Sequence, residues 1–165
     1  MIYKYKASIP GSKIFMREYE VKGDISLFDL YKFLLHDLGF VPDQMVAFKG
    51  VNGNGKITSI YGLFDMGDGT MDSVSVEDTY KKGESKLVYV YDLHNDRVIE
   101  LDFVETLEEE RRASYPRLVA EKGRNPDQFA KKYDDLGQFA EPVDDGGDES
   151  DMIDEEELGE DDELL

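Results

Sequence analysis

The chain opens on an alternation. Across residues 2–8, Tyr3 and Tyr5 fall on one face and Lys4 and Lys6 on the other, the period of a half-buried strand. Pro10-Gly11-Ser12 signals a turn, and a second strand is expected over residues 14–21, so that 2–21 form a β-hairpin. Gly23-Asp24 breaks that pattern. Leu27, Leu30, Tyr31, Leu34, Leu35 and Leu38 then recur at helical spacing. Ser26 is placed to cap this helix, Asp29 lies in its first turn and Gly39 follows its last. The spacing predicts a helix over 26–38 whose broad apolar stripe must lie across a sheet.

Further along, the short apolar run 45–49 reads as a strand, Val51-Asn52-Gly53-Asn54-Gly55 as a turn and 56–60 as a return strand. Gly62, Gly67 and Gly69 mark 61–75 as a loop, and 76–80 suits a short turn of helix. The strongest strand pair is 86–91 with 97–104, joined by a turn holding Asp92, His94, Asn95 and Asp96. Both faces of 86–91 are apolar, which places that strand centrally. Residues 107–114, with EEERR at their centre, have good helical propensity but only a thin apolar stripe. Tyr115-Pro116 and Asn125-Pro126 break the chain, and a last short helix is expected over 127–136. The expected fold is α+β: a mixed, mostly antiparallel sheet of five or six strands with one helix packed across it, in a β-β-α-β order like a β-grasp.

Charge divides the chain. The net charge is −19, yet residues 141–165 hold 14 acids and no base, leaving 24 acids and 19 bases before them. The division predicts an α+β domain over 1–140 and a disordered acidic tail over 141–165, where isolated hydrophobes cannot offset the entropy of ordering. Immediately before that tail, residues 111–132 carry Arg111, Arg112, Arg117, Lys122, Arg124, Lys131 and Lys132 against only Glu121 and Asp127. Tyr115, Phe129 and Tyr133 are interleaved with them. Such a segment suits a polyanion, by phosphate neutralisation and base stacking, or the tethered tail itself.

Candidate chemistry narrows the picture by elimination. There is no Cys, which excludes disulfides, thiol catalysis and Cys-ligated zinc. No apolar run has the length of a signal peptide or a membrane span, and the expected setting is the cytoplasm. His36 and His94 form no zinc-type pair. Asp65, Asp68 and Asp72 in DMGDGTMD, and Asp144, Asp145 and Asp148 in the tail, resemble calcium ligands in type, but their spacing departs from the EF-hand loop. Gly50, Gly53, Gly55 and Lys56 depart from the phosphate-loop pattern. Asp92 with Asp96, and Glu100 with Asp102, read as the wet face of a sheet rather than as acid–base pairs. No catalytic, cofactor or metal site is expected.

Several stretches resemble a known family. Ile14-Phe15-Met16-Arg17 is similar to its early strand, Ser26-Leu27-Phe28-Asp29-Leu30 to its helix start, and Asp43-Gln44-Met45 through Phe48 to a following strand. Tyr89-Val90-Tyr91-Asp92 with Val98-Ile99-Glu100-Leu101 resembles its signature hairpin, and Tyr115-Pro116-Arg117-Leu118 its Tyr-Pro-Arg stretch. The family is the plasmid-borne open-reading-frame-three-like family, of insertion-element passenger, resolvase-like (TnpR-like) proteins. The resemblance runs over residues 2–130 and marks a divergent member with an acidic tail. Phe15 and Arg97 stand where the family has Trp. The resemblance supports the fold and brings no activity with it.

Function is therefore expected to be that of a non-enzymatic interaction module, with a tail that is regulatory or binds a basic protein. The alternatives are a nucleic-acid-associated, mobile-element-linked protein using residues 111–132, and an enzyme of unassigned type.

Overall fold

A computed structural model describes residues 1–129. Nine elements follow one another: β1 (Ile2–Ser8), β2 (Met16–Lys22), α1 (Leu27–Leu38), β3 (Ala47–Val51), β4 (Ile57–Gly62), α2 (Val76–Lys81), β5 (Lys86–Asp92), β6 (Arg97–Leu107) and β7 (Arg117–Lys122). The seven strands form one sheet in the order β4-β3-β5-β6-β1-β2-β7. Every pairing is antiparallel.

The local elements arise where the pattern places them. Ser26 accepts a hydrogen bond from the Asp29 amide at 3.0 Å and caps α1. Gly39 ends the helix at φ +71°, a left-handed conformation that costs glycine nothing. The buried face of α1 is Leu27, Leu30, Tyr31, Leu34 and Leu38. It packs on the sheet face that carries Tyr19 and Tyr89: the Tyr31 ring meets Tyr89 and the Phe33 ring meets Tyr19. Ser75 and Asp78 close a capping box on α2, whose Tyr80 contacts Tyr3 and Phe103 on the same face. Hairpins β1–β2, β3–β4 and β5–β6 form as expected, and β5 lies inside the sheet between β3 and β6.

The expected α+β fold is overturned at the level of the sheet. It has seven strands rather than five or six, it is wholly antiparallel rather than mixed, and two short helices accompany it rather than one. The order is not that of a β-grasp. The physical reason is that three local hairpins are joined edge to edge, through β1–β6 and β3–β5, and both joints are antiparallel. No crossover of the kind a parallel pair requires is made. Residues 107–114 form no helix; β6 runs on to Leu107 and a turn follows. After Pro116 the chain returns as β7 against β2, a strand not expected where 117–122 was read as part of the basic segment 111–132. The helix expected over 127–136, the boundary at 140 and the tail 141–165 lie largely or wholly outside the described residues. No helix among the described residues is long and apolar enough to cross a membrane.

The sheet has a second face, and it is charged. There Lys4 lies 3.8 Å from Glu18 and 3.9 Å from Glu105, and Lys86 lies 3.3 Å from Glu100 and 3.8 Å from Asp102. Glu100 and Asp102 thus serve a solvated cross-strand ladder.

Candidate functional site

Among the described residues, the basic residues singled out by composition lie in the turn after β6 and along and just after β7. Arg111 and Arg112 stand exposed in the turn after β6, with no ion pair among the described residues. Arg117 is committed within the fold: β7 pairs with β2 so that it stands opposite Glu20. Its Nε donates to Glu20 Oε1 at 2.9 Å, its Nη2 lies 2.8 Å from the same oxygen, and the guanidinium rests 5.0 Å from the Tyr115 ring centre. Lys122 closes β7 and Arg124 follows it, both exposed. Lys131 and Lys132 lie outside the described residues. His36 and His94 are exposed, on the last turn of α1 and in the β5–β6 turn.

A groove forms instead where the two helix starts meet the ends of β2 and β6. Gly23 donates its amide to the Met1 carbonyl at 3.0 Å and Glu77 donates its amide to the Gly23 carbonyl at 2.8 Å, tying the start of α2 to the β2–α1 turn. This sets side by side a cavity of about 390 Å³, lined by Lys22, Asp24, Ile25, Asp29, Tyr115 and Pro116, and two more that continue it past Glu77 and Glu109 to Glu108. The wall at Tyr115 is fixed because the Glu110 amide donates to its hydroxyl at 3.3 Å. Five carboxylates line the groove: Asp24, Asp29, Glu77, Glu108 and Glu109. Lys22 is the lining's basic side chain and lies 3.2 Å from Glu109, while Glu77 has Lys81 at 3.2 Å. Asp24, Asp29 and Glu108 have no ion-pair partner among the described residues. Chemically this is a negative trough with an aromatic side, suited to hold a cation. The sequence offered one signal for it, the Tyr115-Pro116 stretch; the acids come from three separate segments.

A second polar cluster is buried under the β3–β4 hairpin. Glu84, 0 % exposed, accepts hydrogen bonds from Thr58 Oγ1 at 2.6 Å and from the Tyr61 hydroxyl at 2.7 Å. Lys82 Nζ donates to Ser59 Oγ at 2.6 Å and to the Tyr61 hydroxyl at 3.0 Å, and lies 3.9 Å from Glu84. Its bond to Tyr61 raises the Lys82 pKa, which keeps the amine protonated. Burial raises that of Tyr61. A protonated Lys and a buried Ser59 make no nucleophile–base pair; the cluster ties α2 to the edge of the sheet.

In the 61–75 loop each of the three aspartates accepts a local hydrogen bond. Asp65 Oδ1 accepts from the amides of Gly67 and Gly69 at 2.8 and 3.2 Å, Asp68 from the amide of Ile60 at 3.0 Å, and Asp72 from the Thr70 hydroxyl. Among the described residues no three metal-ligating side chains come together. Asp92 accepts from the Asn95 side-chain amide at 2.9 Å and faces Arg97 at 3.7 Å. Its role is to shape the hairpin turn.

A crystal structure of a protein of unknown function from Methanosarcina mazei Go1 is similar in fold, with a TM-score of 0.64 and 18% identity over 75% of this chain and 70% of that one. No curated protein matches the sequence. Residues 3–160 match the family described as plasmid pRiA4b ORF-3-like protein, and the chain, from its early Arg17 strand to the Tyr-Pro-Arg stretch that walls the groove, belongs to that family.

Proposed function

We propose that this protein is a non-enzymatic interaction module that takes a basic segment of a partner protein into the groove bounded by Lys22, Asp24, Asp29, Glu77 and Glu109. The observation that carries this reading is the groove's charge: five lining carboxylates, three of them without an ion-pair partner among the described residues. A concave site lined mostly by one sign of charge raises the local concentration of an opposite ligand. The net charge of −19 favours the same class of partner, and the 14 acids of residues 141–165 extend that preference along the chain. The plasmid in the family's description supports a mobile-element setting in the cytoplasm, and a link to insertion-element, resolvase-like (TnpR-like) proteins is part of the same proposal.

Titration with a lysine octamer, followed by two-dimensional NMR on the full chain, tests it. The expected result is saturable shifts of the amides of residues 22–29 and 115–117, and a loss of affinity of about tenfold in the Asp24→Asn/Asp29→Asn variant. Unchanged affinity in that variant, or shifts confined to residues 141–165, overturns the groove as the site. Nucleic acid is the competing partner, favoured by the exposed pair Arg111 and Arg112. Salt-dependent binding of a DNA duplex that is lost on Arg111→Ala/Arg112→Ala would decide for it.

A further inference from the structure

A different surface lies at the β4 edge of the sheet. Its side chains are apolar and turned to solvent: Phe64 is 73% exposed and Met66 54%, with Leu63 also exposed. Runs of large apolar side chains in the open mark contact surfaces. Beside them is a cavity of about 150 Å³ lined by Phe28 of α1, Leu63, Met71 and Asp72.

The loop presenting this surface is held in shape by its own polar groups. Asp65 binds the amides of Gly67 and Gly69, and the Asp68 carboxylate takes the outward amide of Ile60. The Met71 amide donates to the Gly62 carbonyl at 2.8 Å and the Phe28 amide to the Met71 carbonyl at 2.8 Å, fastening the loop to β4 and α1. A surface fixed before contact loses less entropy on binding.

Charge decides what kind of molecule fits. Asp65, Asp68 and Asp72 rim the apolar residues, and none has an ion-pair partner among the described residues. Lys82 is near enough to Asp68 to feel its charge, but its amine is bonded to Ser59 and Tyr61. The two backbone amides hold the Asp65 carboxyl below the ordinary carboxylate range, so it stays ionised. A second copy of the chain, docked through the same surface, would bring three carboxylates against three. Nucleic acid and anionic lipid meet the same repulsion.

We propose that loop 63–72, with Phe28, is a docking surface for a short protein segment that places a large apolar side chain in the Phe28–Leu63–Met71 cavity and basic residues against Asp65, Asp68 and Asp72. This surface stands apart from the groove at Lys22 and does not depend on that groove's ligand.

The probe is the peptide Lys-Lys-Phe-Leu-Lys-Lys, with Lys-Lys-Ser-Gly-Lys-Lys as its charge-matched control. Both are titrated into the full-length Asp24→Asn/Asp29→Asn variant, so that the groove contributes little. The expected result is saturable shifts of the amides of residues 63–72 with the apolar peptide. The control binds about tenfold more weakly, as does the apolar peptide to Phe64→Ser/Leu63→Ser, whose altered side chains are exposed. Equal affinity for the two peptides overturns the proposal, because charge alone then explains binding. Shifts that spare residues 63–72 also overturn it. Concentration-dependent dimerisation that disappears in Phe64→Ser/Leu63→Ser assigns the surface to a second copy and equally overturns it. Loss of the lysine octamer's shifts at 22–29 alone bears on the groove and leaves this outcome readable.

Discussion

Glu84 fills the space that a side chain at Gly50 would need: a Cβ added there would fall on the Glu84 carboxyl group. The carboxylate cannot retreat easily, because Thr58 and Tyr61 both donate to it and it is wholly buried. Gly50 is thus tied to the turn between α2 and β5 through an absence of side chain, and Glu84 to β4 through hydrogen bonds. Gly50→Ala is expected to cost about 1–3 kcal/mol by overpacking. In a double-mutant cycle with Glu84→Ala the two losses should fall short of additive, since removing the carboxylate removes the clash. Strict additivity in urea denaturation would show that the clash is relieved elsewhere.

Arg17 is 1% exposed and fastens β7 to β2. Its guanidinium donates to the carbonyls of Met16 and Lys122 at 2.8 Å, of Gly123 at 2.9 Å, and to Asn125 Oδ1 at 2.7 Å. It also lies 4.5 Å from the Phe15 ring centre. Arg17→Met leaves those oxygens without their donor, at a cost of about 1–3 kcal/mol for each acceptor that stays buried and unsatisfied. Hydrogen exchange should speed first at the amides of 117–122. If those amides keep their protection, the strand is held by something other than Arg17.

Leu34 is wholly buried on the core face of α1. Leu34→Ala is expected to lower stability by about 2–5 kcal/mol. An unchanged denaturant midpoint would refute the assignment of that face.

Acid should destabilise the two turns that rest on carboxylates. The Asn95 side-chain amide, ahead of other causes, holds Asp92 below its ordinary value of 3.8. The Gly67 amide, followed by that of Gly69, does the same for Asp65. A carboxyl whose pKa is lower folded than unfolded contributes stability above its unfolded value, and that contribution is lost as pH falls through the folded value. The loss is therefore expected below about pH 4 and not between pH 5 and 8. Asp92→Asn should flatten the acid limb of stability against pH; an identical limb in the variant would exclude Asp92 as a contributor.

Much of this molecule is local in origin, and that part was legible along the chain. The α1 stripe from Leu27 to Leu38, its Ser26 cap and its Gly39 end are set by residues within four positions of one another, because helical hydrogen bonds reach no further. The alternation of Tyr3 and Tyr5 against Lys4 and Lys6, and the turn at 92–96, likewise mark hairpins whose partners are neighbours in sequence. What alternation states is which face a residue takes; it does not state which strand lies beside it, since any strand offers the same backbone groups. Tertiary structure alone therefore decided that β6 lies against β1, that the basic stretch 117–122 becomes β7, and that Arg117 is absorbed by Glu20. The same holds for the groove, which takes Asp24 and Asp29, Glu77, Glu108 and Glu109, and Tyr115 from separate parts of the chain, and for the burial of Glu84 beneath Gly50. Charges so far apart in sequence carry no mutual signal until the sheet brings them within a few ångströms, where Coulomb energy becomes appreciable.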